Sequence, residues 1–80
     1  MPTAISKLLP MVAIRSSSLA QVAYDCHQSI LRVQFRDGAA FDYEGVPLQT
    51  YLDLLQADSK GAYFNRHIRN LYSHTKRADH

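Results

Sequence analysis

Cysteine is nearly absent from this chain of 80 residues: Cys26 stands alone. No intrachain disulfide can therefore hold the fold, and such thiol usage fits a reducing compartment. Long apolar runs are missing too. The most apolar stretch, Met1 to Val12, is interrupted by Pro2, Lys7 and Pro10. It is too short to span a bilayer and lacks the layout of a signal peptide, so a cytoplasmic protein is expected, with no membrane partner. There is no internal repeat and no low-complexity tract.

The constellations that chemistry requires are also lacking. No paired carboxylates, Gly-rich phosphate loop or Cys/His ligand set appears. Cys26 and His27 are adjacent, and neighbouring side chains seldom make a nucleophile–base pair without a third group to orient them. Asp25-Cys26-His27 reads instead as a polar hairpin loop. His67 and His74 are seven residues apart and could share a helix face, but two helical turns separate them by roughly 10 Å, too far for one metal ion. No catalytic residue, metal site or cofactor is assigned, and a non-enzyme is expected.

What is present describes one small globular domain. The chain is long enough for a single domain and too short for two. Its 46% hydrophobic and 20% charged content excludes a disordered polyelectrolyte. A domain of this size buries only about 60% of its unfolded surface, so the core is thin and a homodimer would be an economical way to cover leftover apolar surface. The formal charge of +2 conceals an asymmetry. Residues 1–59 carry four basic and six acidic side chains, whereas residues 60–80 carry five basic, one acidic and three histidines, a net of +4. Such a split points toward a polyanionic partner; a solvated helix with a basic tail is the plain alternative.

Period-2 patterning marks three strands in the first half. The first lies near Leu19 to Asp25, with Val22 and Tyr24 on one face. In the second, Ile30 to Arg36, Leu31, Val33 and Phe35 face one way. The third, Ala39 to Glu44, turns Phe41 and Tyr43 inward. A two-residue Asp37-Gly38 turn would pair Val33 with Asp42, mixing apolar and acidic residues on one face. A three-residue loop, Arg36 to Gly38, pairs Val33 with Phe41 and Leu31 with Tyr43, and puts Gly38 at the left-handed position. A four-residue loop, Cys26 to Ser29, likewise sets Tyr24 opposite Leu31. After Gly45-Val46-Pro47 the spacing becomes helical. Leu48, Tyr51, Leu52 and Leu55 form one stripe; Asp58 and Ser59 break that helix and cap the next, where Phe64, Ile68 and Leu71 form the second stripe with Tyr72 beside it. The expected fold is α+β, a three-stranded antiparallel β-meander followed by two helices packed on one face, fraying after about Tyr72. The expected core is Tyr24, Val33, Phe35, Phe41, Tyr43, Leu52, Leu55, Phe64 and Ile68, with Asp25 or Asn65 as candidate partners for the Tyr24 hydroxyl.

A set of residues spread over about 11–73 resembles the KTSC domain. They are Ser16-Ser17, Leu19, Val22-Ala23-Tyr24-Asp25, Leu31-Arg32-Val33, Phe35, Gly38, Phe41-Asp42-Tyr43, Val46-Pro47, Tyr51, Ala57, Ser59-Lys60-Gly61, Phe64-Asn65, Ile68 and Tyr72. That family takes its name from a C-terminal extension of some lysyl-tRNA synthetases and also occurs as small stand-alone bacterial proteins. Phe41 stands where the resemblance leads one to expect tyrosine, and Ala23 where it leads one to expect glycine. The resemblance implies a bacterial binding domain and an RNA-binding role. It divides the chain into a leader of residues 1–12, a KTSC-like domain over residues 13–73, and a basic, histidine-containing tail of residues 74–80.

Four features are candidates for function, each with a structural alternative. Ser59, Lys60 and Gly61 could bind an anion at a helix N-terminus, or simply cap and pack that helix. Arg66 and Arg69, joined by Lys76 and Arg77 if the helix extends and by Lys60 at its start, form a basic face that could track a phosphate backbone as a nucleic-acid-binding stripe, or be solvated. Tyr63 and Tyr72 flank that stripe and could stack on bases, or pack on the core. Phe41 and Tyr43 could form a base-stacking platform, or belong to the core under the helices. RNA is the leading partner. Protein interaction or homo-oligomerisation, through the apolar leader Ile5 to Leu9 and an exposed sheet face or edge carrying Ile30, is the second.

Overall fold

The computed structural model describes residues 11–77. Five strands and two helices follow one another along the chain: β1 (Val12–Ala13), β2 (Leu19–Asp25), β3 (Ile30–Phe35), β4 (Ala40–Glu44), α1 (Leu48–Gln56), α2 (Lys60–His67) and β5 (His74–Lys76). The strands form one antiparallel sheet in the order β1-β2-β3-β4-β5. Both helices cover the same face. The α+β reading holds, but three strands become five. The two additions are edge strands of two and three residues, too short to show an alternation of their own.

The expected registers are observed. Val33 lies opposite Phe41 and Leu31 opposite Tyr43. Phe35 N–H donates to the Ala39 carbonyl at 2.8 Å, closing the three-residue loop, and Gly38 has φ +98°. Tyr24 faces Leu31 and Val22 faces Val33 across the other hairpin. There the buried Asp25 carboxylate accepts from the amides of His27 and Gln28, which fixes the turn with a side chain. A register shift between Leu19 and Gln21 inserts one extra residue into β2, so Leu19 and Val22 both reach the core despite their odd spacing.

β5 corrects the expectation that the chain frays after Tyr72. It pairs with β4 through Phe41↔Lys76, Asp42↔Thr75 and Tyr43↔His74. Glu44 N–H donates to the Ser73 carbonyl at 2.9 Å, and Arg77 N–H to the Ala40 carbonyl at 2.7 Å. To return the chain to the sheet, α2 must stop early. Ile68 leaves helical geometry at φ −125°, and the amides of Ile68 and Arg69 both donate to the Phe64 carbonyl. Leu71 therefore falls off the helical stripe and stands 65% exposed.

The core is centred on Tyr24, Leu31, Val33, Tyr43, Tyr51, Leu54, Phe64 and Ile68. Tyr24 and Tyr51 stack with ring centroids 5.1 Å apart. The Tyr24 hydroxyl donates to the Val46 carbonyl, not to Asp25 or Asn65 as expected. Phe64 meets Phe35 and Tyr43 edge-on at 5.5 and 5.4 Å. On α1 the buried residues are Tyr51 and Leu54, with Leu55 half-buried, whereas Leu48 and Leu52 face solvent. The apolar residues of this helix satisfy two neighbouring helical phases, and stacking of Tyr51 on Tyr24 selects the one centred on Leu54. Phe35 and Phe41 are only partly buried, and both line an open cleft on the inner face.

The outer face of the sheet is polar. Asp42 accepts from Arg32 at 2.8 and 3.2 Å and from Arg77 at 3.1 Å, and Gln21 pairs with Gln34. No helix of the described residues is long and apolar enough to cross a membrane.

Candidate nucleic-acid interface

Where the helices fail to cover the sheet, a cleft of roughly 640 Å³ opens between α2 and β5. Its floor is aromatic. Phe41 lies between Phe35 and His74, edge-on to each at 5.8 and 5.6 Å. Tyr43 lies deeper, 5.1 Å from the His74 ring. One wall is β5. Because Thr75 pairs with Asp42 on the outer face, the pleat turns its neighbours His74 and Lys76 inward, into the cleft. The other wall is the C-terminal end of α2 with the turn after it, which contributes Asn65, Arg69 and Asn70.

Two cations thus face one aromatic floor. The Arg69 guanidinium donates to the Asn65 side-chain oxygen at 3.2 Å, leaning across the last turn of α2. Burial raises the Tyr43 phenol above its ordinary range, and the nearby positive charge of Arg69 pulls partly the other way. Among the described residues, Asp37 is the one carboxylate lining the cleft, and it accepts from the Ala39 amide at 2.9 Å. The arrangement brings cationic and aromatic side chains to one cleft, the two kinds of group that a site for nucleotides uses.

The five basic residues singled out from the sequence are not gathered on one stripe. Arg69 and Lys76 meet at the cleft. Arg66 is exposed on α2. Arg77 lies on the opposite side of β5, bound to Asp42. Lys60 turns back, its ammonium donating to the Ala57 carbonyl at the end of α1 at 2.9 Å. The expected continuous helical face fails because α2 ends at His67: Arg69 belongs to a turn, and Lys76 and Arg77 belong to a strand whose pleat sends them to opposite faces. Tyr63 packs beside His67 with ring centroids 4.4 Å apart, and Tyr72 is half-buried against the core. Phe41 divides the earlier alternatives: it packs on the core and also lines the cleft.

The start of α2 is tightly built. Ser59 Oγ accepts from Ala62 N–H at 3.3 Å, as the sequence led one to expect of a cap. A Cβ on Gly61 would come 2.9 Å from Ser18 Oγ, so glycine lets the helix approach the loop before β2. That loop is held by Ser16, whose hydroxyl accepts from the amides of Ser18 and Leu19. Cys26 and His27 are exposed in the β2–β3 turn. Among the described residues, no three His, Cys, Asp or Glu side chains come together as a metal site. Residues 1–10, with the apolar Ile5 to Leu9, and residues 78–80 lie outside the described residues.

Sequence reasoning missed His74 and Phe35 as cleft residues. A three-residue strand carries no periodic signal, and the exposure of Phe35 depends on where α2 lies.

A family model for the KTSC domain matches residues 15–72, well over half of the chain. The chain belongs to the KTSC domain family. A protein from Stutzerimonas stutzeri is 49% identical over 55 residues, covering 69% of this KTSC chain and 78% of that protein. A lysine–tRNA ligase from Nostoc punctiforme is 30% identical over 63 residues, which is 79% of this chain but only 11% of the ligase. The crystal structure of a KTSC domain protein from Yersinia pestis superposes with a TM-score of 0.83 at 28% identity, covering 86% of this chain and 97% of that one. The match to the KTSC model ends at Tyr72, so His74 and Lys76 of β5 lie beyond the matched residues.

Proposed function

We propose that this KTSC domain is a non-enzymatic binding module whose ligand is RNA, taken at the cleft between α2 and β5. One observation carries the reading: Arg69 and Lys76 line opposite walls of one cleft whose aromatic floor is only partly buried. Arg66 extends the positive field along α2, and residues 60–80 together carry a net of +4. A relative that is a tRNA ligase supports an RNA context. The start of α2, with Ser59, Lys60 and Gly61, is a subsidiary anion site at most, since the Lys60 ammonium is already bonded within the fold.

The test is RNA binding measured across a series of salt concentrations. Each phosphate contact to a single strand contributes about 0.7 to the salt slope. Replacing Arg69 and Lys76 together by alanine is expected to lower the slope by about 1.4 while leaving the thermal melt nearly unchanged, because both side chains are exposed. Wild-type protein that binds no RNA at low ionic strength would refute the proposal. A second reading, self-association, is favoured by Leu48 and Leu52, exposed one turn apart on α1. Sedimentation of wild-type protein and of Leu48→Glu separates the two readings.

A further inference from the structure

We infer that the cleft takes an unpaired nucleobase from a single strand, laid against Phe41 with its flanking phosphates on Arg69 and Lys76. The inference rests on the RNA reading above and narrows it from a charged surface to a site for a splayed-out nucleotide.

The geometry distinguishes a base site from a phosphate track. A backbone-tracking surface needs only exposed cations, and such a surface would leave its aromatics in the core. Here Phe35 and Phe41 stay partly open, and α2 and β5 stand on either side of them. In a duplex the bases are stacked and paired, so a floor recessed between two walls cannot reach a base face. An unstacked base can enter such a cleft. The volume of roughly 640 Å³ lies within the ~300–1,000 Å³ usual for sites that enclose a small ligand.

The polar groups fit the same occupant. Asn65 lines the cleft and accepts from Arg69 through its side-chain oxygen, so its amide N–H groups remain available as donors. With Asn70 beside it, the α2 wall can meet the acceptor atoms on a base edge. The cations sit on opposite walls, Arg69 on the α2 side and Lys76 on β5. A strand that drops one base between them keeps a phosphate near each. The carboxylate of Asp37 is tied to the Ala39 amide and forms part of the β3–β4 loop, whereas the two cations stand on the walls.

The experiment compares three probes on the intact protein at low ionic strength. They are a single-stranded uridine oligomer of roughly ten nucleotides, a length typical of small single-strand binders, an RNA duplex of equal length, and an abasic oligomer with the same backbone. The single strand is expected to bind about tenfold or more tighter than either of the others, the scale of one stacked base. Phe41→Leu is expected to remove about that factor while leaving the salt slope unchanged, and Phe41→Tyr to retain it. Equal affinity for the abasic oligomer or the duplex overturns the base site and leaves the RNA reading standing as backbone contact alone. Failure of every probe to bind overturns both. Should Phe41→Leu not fold, as judged by its circular dichroism melt, the abasic comparison on wild-type protein decides by itself.

Discussion

Phe64→Ala removes the side chain that ties helix to sheet. Phe64 is 2% exposed and meets both Phe35 and Tyr43 edge-on. Truncating a buried phenylalanine costs about 3–5 kcal/mol, from lost transfer energy and the cavity left behind. The upper half of that range is expected here. Phe64 packs on Phe35 and Tyr43 at once, so its truncation leaves both rings without their neighbour on the helix. A domain of this size has a total stability of about 4–12 kcal/mol. The variant should therefore either populate the unfolded state visibly at room temperature or lose about 15 °C or more from its melting temperature. Far-ultraviolet circular dichroism, read against temperature and against urea, measures the loss. A change in midpoint without a change in urea slope would show that stability alone has moved. A loss below about 1 kcal/mol would refute the placement of Phe64 at the centre of the core.

Gly38→Val should cost more than about 1–2 kcal/mol, because a β-branched residue resists the φ of +98° that the three-residue loop needs. A urea titration unchanged from wild type would contradict that loop. Burial raises the phenols of both Tyr43 and Tyr51, so folding favours their neutral forms. The contribution is fully present below the ordinary tyrosine value near 10 and is lost as pH rises through the raised values. Thermal melts should therefore be insensitive to these groups up to about pH 9 and fall steeply in the alkaline range. Tyr43→Phe should flatten that fall.

The parts of the fold that were legible from sequence are those governed by contacts close along the chain. Val33 and Phe41 had to share a face because the alternative register would have buried Asp42, and the side-chain period of two leaves no intermediate choice. Ser59 as a cap and Gly38 as the left-handed residue are legible the same way, from local chemistry at fixed spacing. The phase of α1 was not legible. Leu48, Leu52, Leu54 and Leu55 allow two stripes, and only the stacking of Tyr51 on Tyr24 chooses between them.

The candidate site divides similarly. The sequence by itself determined that the positive charge is concentrated after Ser59 and that Phe41 and Tyr43 share one face of the sheet. It could not determine which cations would meet which rings. That depended on α2 ending at His67, on the chain returning as β5, and on the pleat of a three-residue strand turning Lys76 inward and Arg77 outward. Strand β5 exists because β4 presents unpaired backbone groups at its open edge, and Ser73 and Arg77 come back to bond them. Pairing between residues more than thirty apart in the chain, such as Tyr43 and His74, leaves no periodic signal in three residues, so only the tertiary structure decided where the cleft would form.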